Sequence, residues 1–264
     1  MRIWYQSMAP LYSLGAYLEA LQAHAAAVCS EGTEVVFNGA SEHLYGTMIP
    51  QDIVRYPYAK HVVQREALEF CWQAEQQGFD AIVLGSFSEP YLTEARSLVE
   101  IPVVSMPEST LLVACSLAPR FALVALSQRS AVRNRALVSR HGLEGRLTGV
   151  HALPSPWGES ELNEALEAPD RLVADFEAAA TKAVAEGADL LVPAEGVFNE
   201  VLFKHGVRRF QDATVIDCVG TSLLYAELLV NLARRVGIGV GRAWAYARPP
   251  AEMLTQIRKH AGGD

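Results

Sequence analysis

The sequence lacks the features of nucleic-acid-binding, disulfide-bonded and membrane-spanning proteins. Its 264 residues carry a formal net charge of -8, so there is no excess of basic side chains for a phosphate backbone. The 4 cysteines have no CxxC spacing, which argues against a zinc ribbon and a disulfide framework. No apolar run approaches the ~18 residues of a membrane span, and the first residues lack the apolar core of a signal peptide. We therefore expect a cytoplasmic protein that binds a small molecule, and neither nucleic acid nor a membrane.

Motifs for metal ions and nucleotides are also missing. The 7 histidines show no HxH or HExxH spacing, so we predict no metal site. No GxGxxG pattern follows the first predicted strand. The glycine-rich run Gly237–Gly241 follows a predicted helix and contains no P-loop lysine, so we interpret it as a loop.

The sequence does contain a regular alternation of apolar runs and helical patterns. Half of its residues (50%) are hydrophobic and 20% are charged, as in an ordinary globular protein. Short apolar runs bounded by turn residues and separated by helical segments are typical of an α/β protein with parallel sheets buried on both faces. The predicted strands are Ile3–Tyr5, Glu34–Phe37, Ala81–Gly85, Val103–Ser105, Phe121–Leu126, Leu147–Val150, Leu190–Pro193 and Val215–Asp217.

We predict two α/β lobes. Pro119 separates an apolar helical pattern from the next apolar run, and proline disfavours a helix at the residue before it. The first lobe is predicted to comprise residues 1–118, completed by the C-terminal segment 221–264, and the second to comprise residues 119–220. The apolar run Leu223–Val230 predicts a mostly buried helix that packs back against the first lobe.

An internal repeat relates the two predicted lobes. The segment Gly78–Ser86 (GFDAIVLGS) matches Gly187–Glu195 (GADLLVPAE) without a gap, and a second phrase after Pro102 matches one after Thr214. We expect the two lobes to face each other about a pseudo-twofold axis. Ser86 and Glu195 are then equivalent positions, each just beyond a buried strand.

Ligands of parallel sheets bind outside the carboxyl ends of the strands. We therefore predict that Ser86 and Glu195 flank one cleft. The loop formed by Ser86, Phe87 and Ser88 and the loop formed by Glu195, Gly196 and Val197 both open onto helices, so their amides are placed to hold a carboxylate or an enediolate-like oxyanion. The structural alternatives are that Ser86 caps a helix and that Glu195 complements a helix dipole.

These phrases resemble the aspartate/glutamate/hydantoin racemase superfamily, and the hydantoin and allantoin racemase branch most closely. The resemblance covers most of residues 1–235 and is carried by Gly85–Pro90, Ile101–Ser109, Arg120–Val124, Asp189–Gly196 and Val215–Asp217. It implies two Rossmann-like lobes, and a reaction in which two cysteines exchange a substrate α-proton with no cofactor. It also implies that the cleft is lined by Gln6, Ser7, Ser127 and Gln128. We also expect a homo-oligomer.

The sequence departs from that two-cysteine pattern at both reacting positions, where Ser86 and Glu195 stand instead. A serine hydroxyl is a poor base without a partner, whereas a glutamate with a raised pKa serves as acid or base. The arrangement resembles the one-acid site of the arylmalonate decarboxylase branch. We therefore predict a cofactor-independent isomerase or lyase acting on a small carboxylate, imide or ureide. Glu195 would transfer the proton, and Ser86 and Ser88 would stabilise the enolate-like intermediate.

Two other functions stay open at this point. In a hydrolase, Glu195 would activate water and Ser86 would help to hold the tetrahedral oxyanion. In a non-catalytic binding protein, the cleft would have been kept and both thiols lost.

Four further features have two interpretations each. Glu108 either touches substrate or caps a helix, and Cys218 either replaces a missing thiol or is a buried structural cysteine. The aromatic segment 43–58 forms either a substrate lid or a dimer contact. The basic cluster either supplies a ligand for a substrate carboxylate or forms a solvated helix face; its members are Arg133, Arg135, Arg140 and Arg146.

Overall fold

Two mainly parallel β-sheets organise the computed structural model, which describes residues 1–45, 53 and 55–260, the last by its backbone alone. The strands are β1 (Arg2–Gln6), β2 (Glu34–Asn38), β3 (Ala81–Leu84), β4 (Val103–Ser105), β5 (Phe121–Ala125), β6 (Leu147–Ala152), β7 (Leu190–Pro193), β8 (Arg209–Phe210) and β9 (Ala213–Val215). The first sheet has the order β2-β1-β3-β4, and the second has the order β6-β5-β7-β9-β8. Strand β8 runs antiparallel to β9, and the other pairs are parallel.

Helices connect the strands and cover the sheets. They are α1 (Gly15–Val28), α2 (Glu42–Tyr45), α3 (Pro57–Gln76), α4 (Leu92–Leu98), α5 (Met106–Leu117), α6 (Gln128–Arg140), α7 (Glu159–Ala165), α8 (Asp170–Ala185), α9 (Gly196–Lys204), α10 (Cys218–Val236) and α11 (Ala251–His260). Short 3-10 turns lie at Leu11–Ser13 and Glu144–Arg146. Among the described residues, none of these helices has the length and apolar character needed to cross a membrane.

The central strands form because their side chains are apolar on both faces. Every residue of β3, β5 and β7 is buried, which is the pattern of parallel strands covered by helices on both sides. One hydrophobic core includes Tyr5 and Leu111 from the first sheet and its helices, and Phe121 and Phe198 from the second. The predicted α/β class with two parallel sheets is confirmed, and the lobes share a continuous core.

The repeated phrase adopts the same local structure in both lobes. Gly78 and Gly187 have φ angles of 74° and 88°, a left-handed conformation in which glycine is favoured after a helix. The amide of Asp80 then donates to the carbonyl of Arg2 at 2.8 Å, and the amide of Asp189 donates to the carbonyl of Arg120 at 3.1 Å. The repeat thus places β3 beside β1 and β7 beside β5.

Helix α10 connects the second sheet to the first lobe. Its cap, Asp217, accepts a hydrogen bond from the Gly220 amide at 3.0 Å. From there the helix packs against α5 and β3, and it buries Leu223, Ala226 and Val230, as the apolar run predicts. These contacts support the lobe boundaries 1–118 with 221–264 and 119–220, which stay a prediction.

Toward the C-terminal end, one strand differs from the sequence expectation, and two elements, β8 and α11, were not predicted. The strand expected at Val215–Asp217 lies at Ala213–Val215, because Asp217 caps α10 instead of continuing the strand. Strand β8 has two residues, too few to leave a periodic signal. Helix α11 is held by its partners on α3: Arg258 pairs with Glu69 at 2.8 Å and lies over the Trp72 ring.

Candidate active site

A cavity of about 310 Å³ lies between the lobes, at the carboxyl ends of the central strands. The loops after β1 and β3 reach it from the first lobe, and the loops after β5 and β7 reach it from the second. The predicted site residues that line it are Ser7, Ser86, Phe87, Ser88, Ser127, Glu195, Gly196 and Val197. The structure therefore brings the two equivalent positions of the repeat, Ser86 and Glu195, to the same cavity.

The Ser86 loop contains hydroxyl and amide groups, and in the described part of the chain no basic side chain is hydrogen-bonded to the Ser86 hydroxyl. Gly85 precedes it because a Cβ there would approach the Tyr5 ring within 2.2 Å. The Ser86 hydroxyl lies 3.0 Å from the Ser88 hydroxyl and accepts a hydrogen bond from the Ser88 amide at 3.2 Å. Gln64 Nε2 donates to the Ser88 hydroxyl at 2.9 Å. Within the described chain, no histidine, lysine or carboxylate bonds to Ser86, so its hydroxyl is not activated as a nucleophile.

A buried carboxylate fixes this loop to the second lobe. Glu89 and Tyr91 have left-handed φ angles of 46° and 51°, which cost about 1–2 kcal/mol each for residues with a side chain. The Glu89 carboxylate accepts from Ser105 Oγ at 2.5 Å and from His141 Nε2 at 2.7 Å, and it pairs with Arg140 at 2.8 Å. Burial opposes its ionisation, but these partners hold the pKa of Glu89 below its usual range. No motif in the sequence predicts these contacts of Glu89.

Glu195 lies at the start of a helix and also lines the cavity. Its Oε2 accepts a hydrogen bond from the Phe198 amide at 2.8 Å, so it caps α9. Burial raises the pKa of Glu195, while the amides of Gly196, Val197 and Phe198 and the charge of Arg133 oppose that shift. A Cβ on Gly196 would come within 2.6 Å of the Tyr17 hydroxyl, so the loop is packed closely onto α1. The carboxyl group is held in place and is easier to protonate than a free glutamate.

Further charged side chains line the same cavity. Lys60 enters from α3, Arg129 and Arg133 enter from α6, and Arg55 lies beside them. Glu159 is the second carboxyl group, and burial together with the charge of Glu195 raises its pKa. Arg133 was predicted from the sequence as a possible ligand for a carboxylate. Lys60 and Glu159 were not predicted, because they lie on helices with no motif of their own.

Comparison with known proteins identifies the family of the chain. A family model described as Asp/Glu/Hydantoin racemase matches residues 12–234. The chain belongs to this family. A hydantoin racemase of Pseudomonas sp. (strain NS671) is 26% identical over 188 residues, which are 71% of this chain and 73% of that protein.

Solved structures of racemases and a decarboxylase share the fold. An allantoin racemase from Klebsiella pneumoniae is 24% identical and has a TM-score of 0.76 over 94% of both chains. A variant of arylmalonate decarboxylase has 16% identity and a TM-score of 0.53, covering 87% of this chain and 92% of its own. The resemblance to this racemase superfamily, with its hydantoin and allantoin branch, is thereby confirmed.

Two residues named from the family resemblance lie away from the cavity lining. The Gln6 side chain is buried, accepts from Trp4 Nε1 at 3.0 Å and Asn38 Nδ2 at 2.9 Å, and donates to the Ser7 carbonyl at 3.0 Å. It fixes the end of β1, while the next residue, Ser7, lines the cavity. Gln128 is exposed at the first turn of α6.

Glu108 and Cys218 both make structural contacts and do not line the cavity. Glu108 is not a helix cap either, because the cap of α5 is Ser105. Glu108 forms a two-pronged ion pair with Arg96, one contact of which is 3.0 Å, and it does not line the cavity. Cys218 is fully buried, and its Sγ donates to the Pro193 carbonyl at 3.3 Å. Burial raises the pKa of the Cys218 thiol well above its usual value, so it does not replace a racemase cysteine.

The aromatic segment 43–58 reaches the cavity through Tyr45 and Arg55. Residues 46–52 and 54 of that segment lie outside the described residues. The choice between a lid and a dimer contact therefore stays open, and the expected homo-oligomer stays a prediction.

A separate cluster of titratable groups is buried between the lobes. His24 on α1 bonds through Nδ1 to Glu200 and through Nε2 to Asp217, both at 2.8 Å. Its ring stacks on Phe203 with centroids 3.3 Å apart. Burial lowers the pKa of His24, but the two carboxylates outweigh this effect and raise it to about 9. In the described part of the chain, no group of three His, Cys, Asp or Glu side chains is arranged to hold a metal ion.

Proposed function

We propose that the protein is a cofactor-independent isomerase or lyase that transfers a proton at a carbon next to a carboxylate or carbonyl group. Its substrate is a small acid or a cyclic ureide. The observation that carries the proposal is that Ser86 and Glu195, at equivalent ends of β3 and β7, line one cavity from opposite lobes. The hydantoin and allantoin racemases among its relatives support the ureide class.

Glu195 is the proton-transfer group in this proposal. Its raised pKa keeps part of the carboxyl population protonated nearer to neutral pH than a free glutamate. The hydrogen bond from the Phe198 amide to Oε2 orients the carboxyl group, which would exchange a proton with the substrate carbon. General acid–base catalysis of this kind contributes roughly 10² to 10⁴-fold to the rate.

The Ser86 loop stabilises the negative charge that develops when the carbon loses its proton or its carboxyl group. The Ser86 and Ser88 hydroxyls are the donors, and the loop that carries them is fixed by Glu89. One well-placed donor to an oxyanion is worth about 3–4 kcal/mol in the transition state. We therefore expect Ser86→Ala to slow the reaction less than loss of the Glu195 carboxyl does.

The presence of a single proton-transfer group, Glu195, has a stereochemical consequence. A racemase with two thiols removes the proton on one side and returns it on the other. Here Glu195 serves both steps, so in an isomerase the planar intermediate has to turn its other face to Glu195 before the proton returns, and in a lyase Glu195 protonates the carbanion left by decarboxylation. We expect solvent deuterium to enter from the Glu195 side, and in an isomerase we expect exchange at the carbon to be faster than inversion.

Isotopic labelling tests the proposal and separates it from its rivals. The full chain is incubated in D₂O and H₂¹⁸O with hydantoin, allantoin, malonate and methylmalonate, each beside an enzyme-free control. Deuterium at the α-carbon of at least one compound supports proton transfer. Incorporation of ¹⁸O into product without carbon-bound deuterium contradicts it in favour of hydrolysis, and bound ligand with neither label contradicts it in favour of a binding protein.

A further inference from the structure

Lys60 and Arg133 are two cavity cations, one from each lobe, that form no ion pair with the described residues. Lys60 lies on α3 of the first lobe and Arg133 on α6 of the second, and both line the cavity that contains Ser86 and Glu195. Among the described residues, no carboxylate lies within ion-pair distance of either side chain. Arg96 and Arg248, by contrast, form ion pairs with Glu108 and Glu75. The charge of Glu195 acts on Arg133 only from beyond ion-pair distance, so neither cavity cation has a direct counter-charge among the described residues.

The two charges also repel each other. Burial lowers the pKa of Lys60, and the positive charges of Arg133 and Arg140 lower it further. Arg140 is neutralised by its contact with Glu89, whereas Lys60 and Arg133 face the cavity. Holding two like charges in a partly dehydrated space is unfavourable unless an anion binds between them.

The carboxyl groups of the cavity do not supply that anion. Glu195 is engaged by the helix amides, and its pKa is raised. Glu159 also has a raised pKa, because it is buried and lies near the charge of Glu195. Neither carboxyl group forms an ion pair with Lys60 or Arg133 in the described part of the chain. The cavity is thus rich in positive charge within a protein whose formal net charge is -8.

We propose that Lys60 and Arg133 bind a second anionic group of the substrate, a carboxylate or a phosphate, which lies away from the carbon that exchanges its proton. This inference rests on the proposed function for the place of the chemistry. It narrows the substrate from acids and ureides to compounds with such an anionic group. Because the two cations come from different lobes, the bound anion joins the lobes across the cavity.

Direct binding tests the inference without requiring turnover. Isothermal titration calorimetry of the full chain uses succinate, malonate and inorganic phosphate as probes, with hydantoin as the uncharged control. We expect Lys60→Met and Arg133→Met each to weaken binding of the preferred anion tenfold or more. Binding of hydantoin should be unchanged, and salt should weaken only the binding of the anions.

Matched control variants show whether the effect belongs to the cavity. Arg135→Met removes an exposed charge from the same helix as Arg133, and Lys182→Met removes one from α8. Both should bind the anions as the wild type does. Lys60→Met and Arg133→Met should keep the thermal stability of the wild type, because each relieves a repulsion and breaks no ion pair among the described residues.

The outcomes separate this inference from the proposed function. Anion binding that depends on Lys60 and Arg133, without deuterium exchange in any compound, keeps the inference and removes the proposed function. Exchange in ureides combined with anion binding that is equal in all variants, or absent in the wild type, overturns the inference and keeps the function. Binding of dicarboxylates but not of phosphate assigns the group as a carboxylate, and the reverse result assigns it as a phosphate.

Discussion

Two groups of charged side chains lie between the lobes, and they differ in how completely they are paired. In the buried cluster, His24 has a carboxylate on each ring nitrogen, and Asp217 also accepts from Asn199 at 2.9 Å and from the Gly220 amide at 3.0 Å. In the cavity, Lys60 and Arg133 have no such partners within the described residues. The His24 cluster has all its counter-charges within the protein, whereas Lys60 and Arg133 lack a direct counter-charge among the described residues.

Whether a charged side chain has ion-pair partners determines whether it stabilises the fold or is available to bind a ligand. A buried charge that has all its partners contributes to the folded state, and removing one partner leaves the others uncompensated. A charge that has room and no partner is free to contact a ligand. The two groups also differ in burial, because the side chains of His24 and Glu200 are buried, whereas Lys60 is half-buried and Arg133 is partly open to solvent.

Removing the central cation of the buried cluster should have the largest effect on stability. His24→Ala leaves Glu200 and Asp217 facing each other without their shared imidazolium and also removes the ring that stacks on Phe203. We expect a loss of about 3–5 kcal/mol in the free energy of unfolding, measured in urea. Lys60→Met serves as the comparison and should change that free energy by less than ~0.5 kcal/mol. Equal effects of the two substitutions would contradict the distinction.

The same cluster predicts a pH dependence of stability. Folding raises the pKa of His24 from about 6.5 to about 9, so the folded state binds an extra proton between these values. The stabilisation is fully present below pH ~6.5 and is lost as the pH rises through about 9. We expect the free energy of unfolding to fall by about 3 kcal/mol over this window, and His24→Ala to remove that slope. A variant with the wild-type slope would show that His24 is not the titrating group.

The smallest expected effect concerns the two carboxyl groups of the cavity. Glu159→Gln removes a negative charge near Glu195, so the pKa of Glu195 should fall. The pH–rate profile of deuterium exchange should then shift to lower pH by less than ~1 unit. The isosteric change keeps the size of the side chain. A shift to higher pH would contradict the proximity of the two charges.

Sequence analysis predicted the features that depend on local pattern. Buried apolar runs gave the central strands, and the gapless match of Gly78–Ser86 with Gly187–Glu195 correctly placed the last residue of each segment at one cavity. The boundary at the end of β1 was less predictable: Gln6, the last residue of the strand, is held in a buried network, whereas Ser7, the first residue beyond it, lines the cavity.

Contacts between distant parts of the chain were not predictable from the sequence. His24 meets partners 176 and 193 residues away, and only the packing of α1 against α9 and α10 brings them together. Lys60 reaches the cavity from the first turn of α3. The positions of these side chains depend on how the helices pack against each other, and neither hydrophobic periodicity nor motif spacing predicts that packing.

The most direct test of the account is the rate of deuterium exchange in Glu195→Gln. The substitution keeps a side-chain oxygen to accept from the Phe198 amide, so α9 stays capped and the thermal stability should match the wild type. The account predicts a loss of exchange at the substrate carbon of at least ~10²-fold, with binding of anions retained. Exchange by a folded Glu195→Gln protein at the wild-type rate would contradict it.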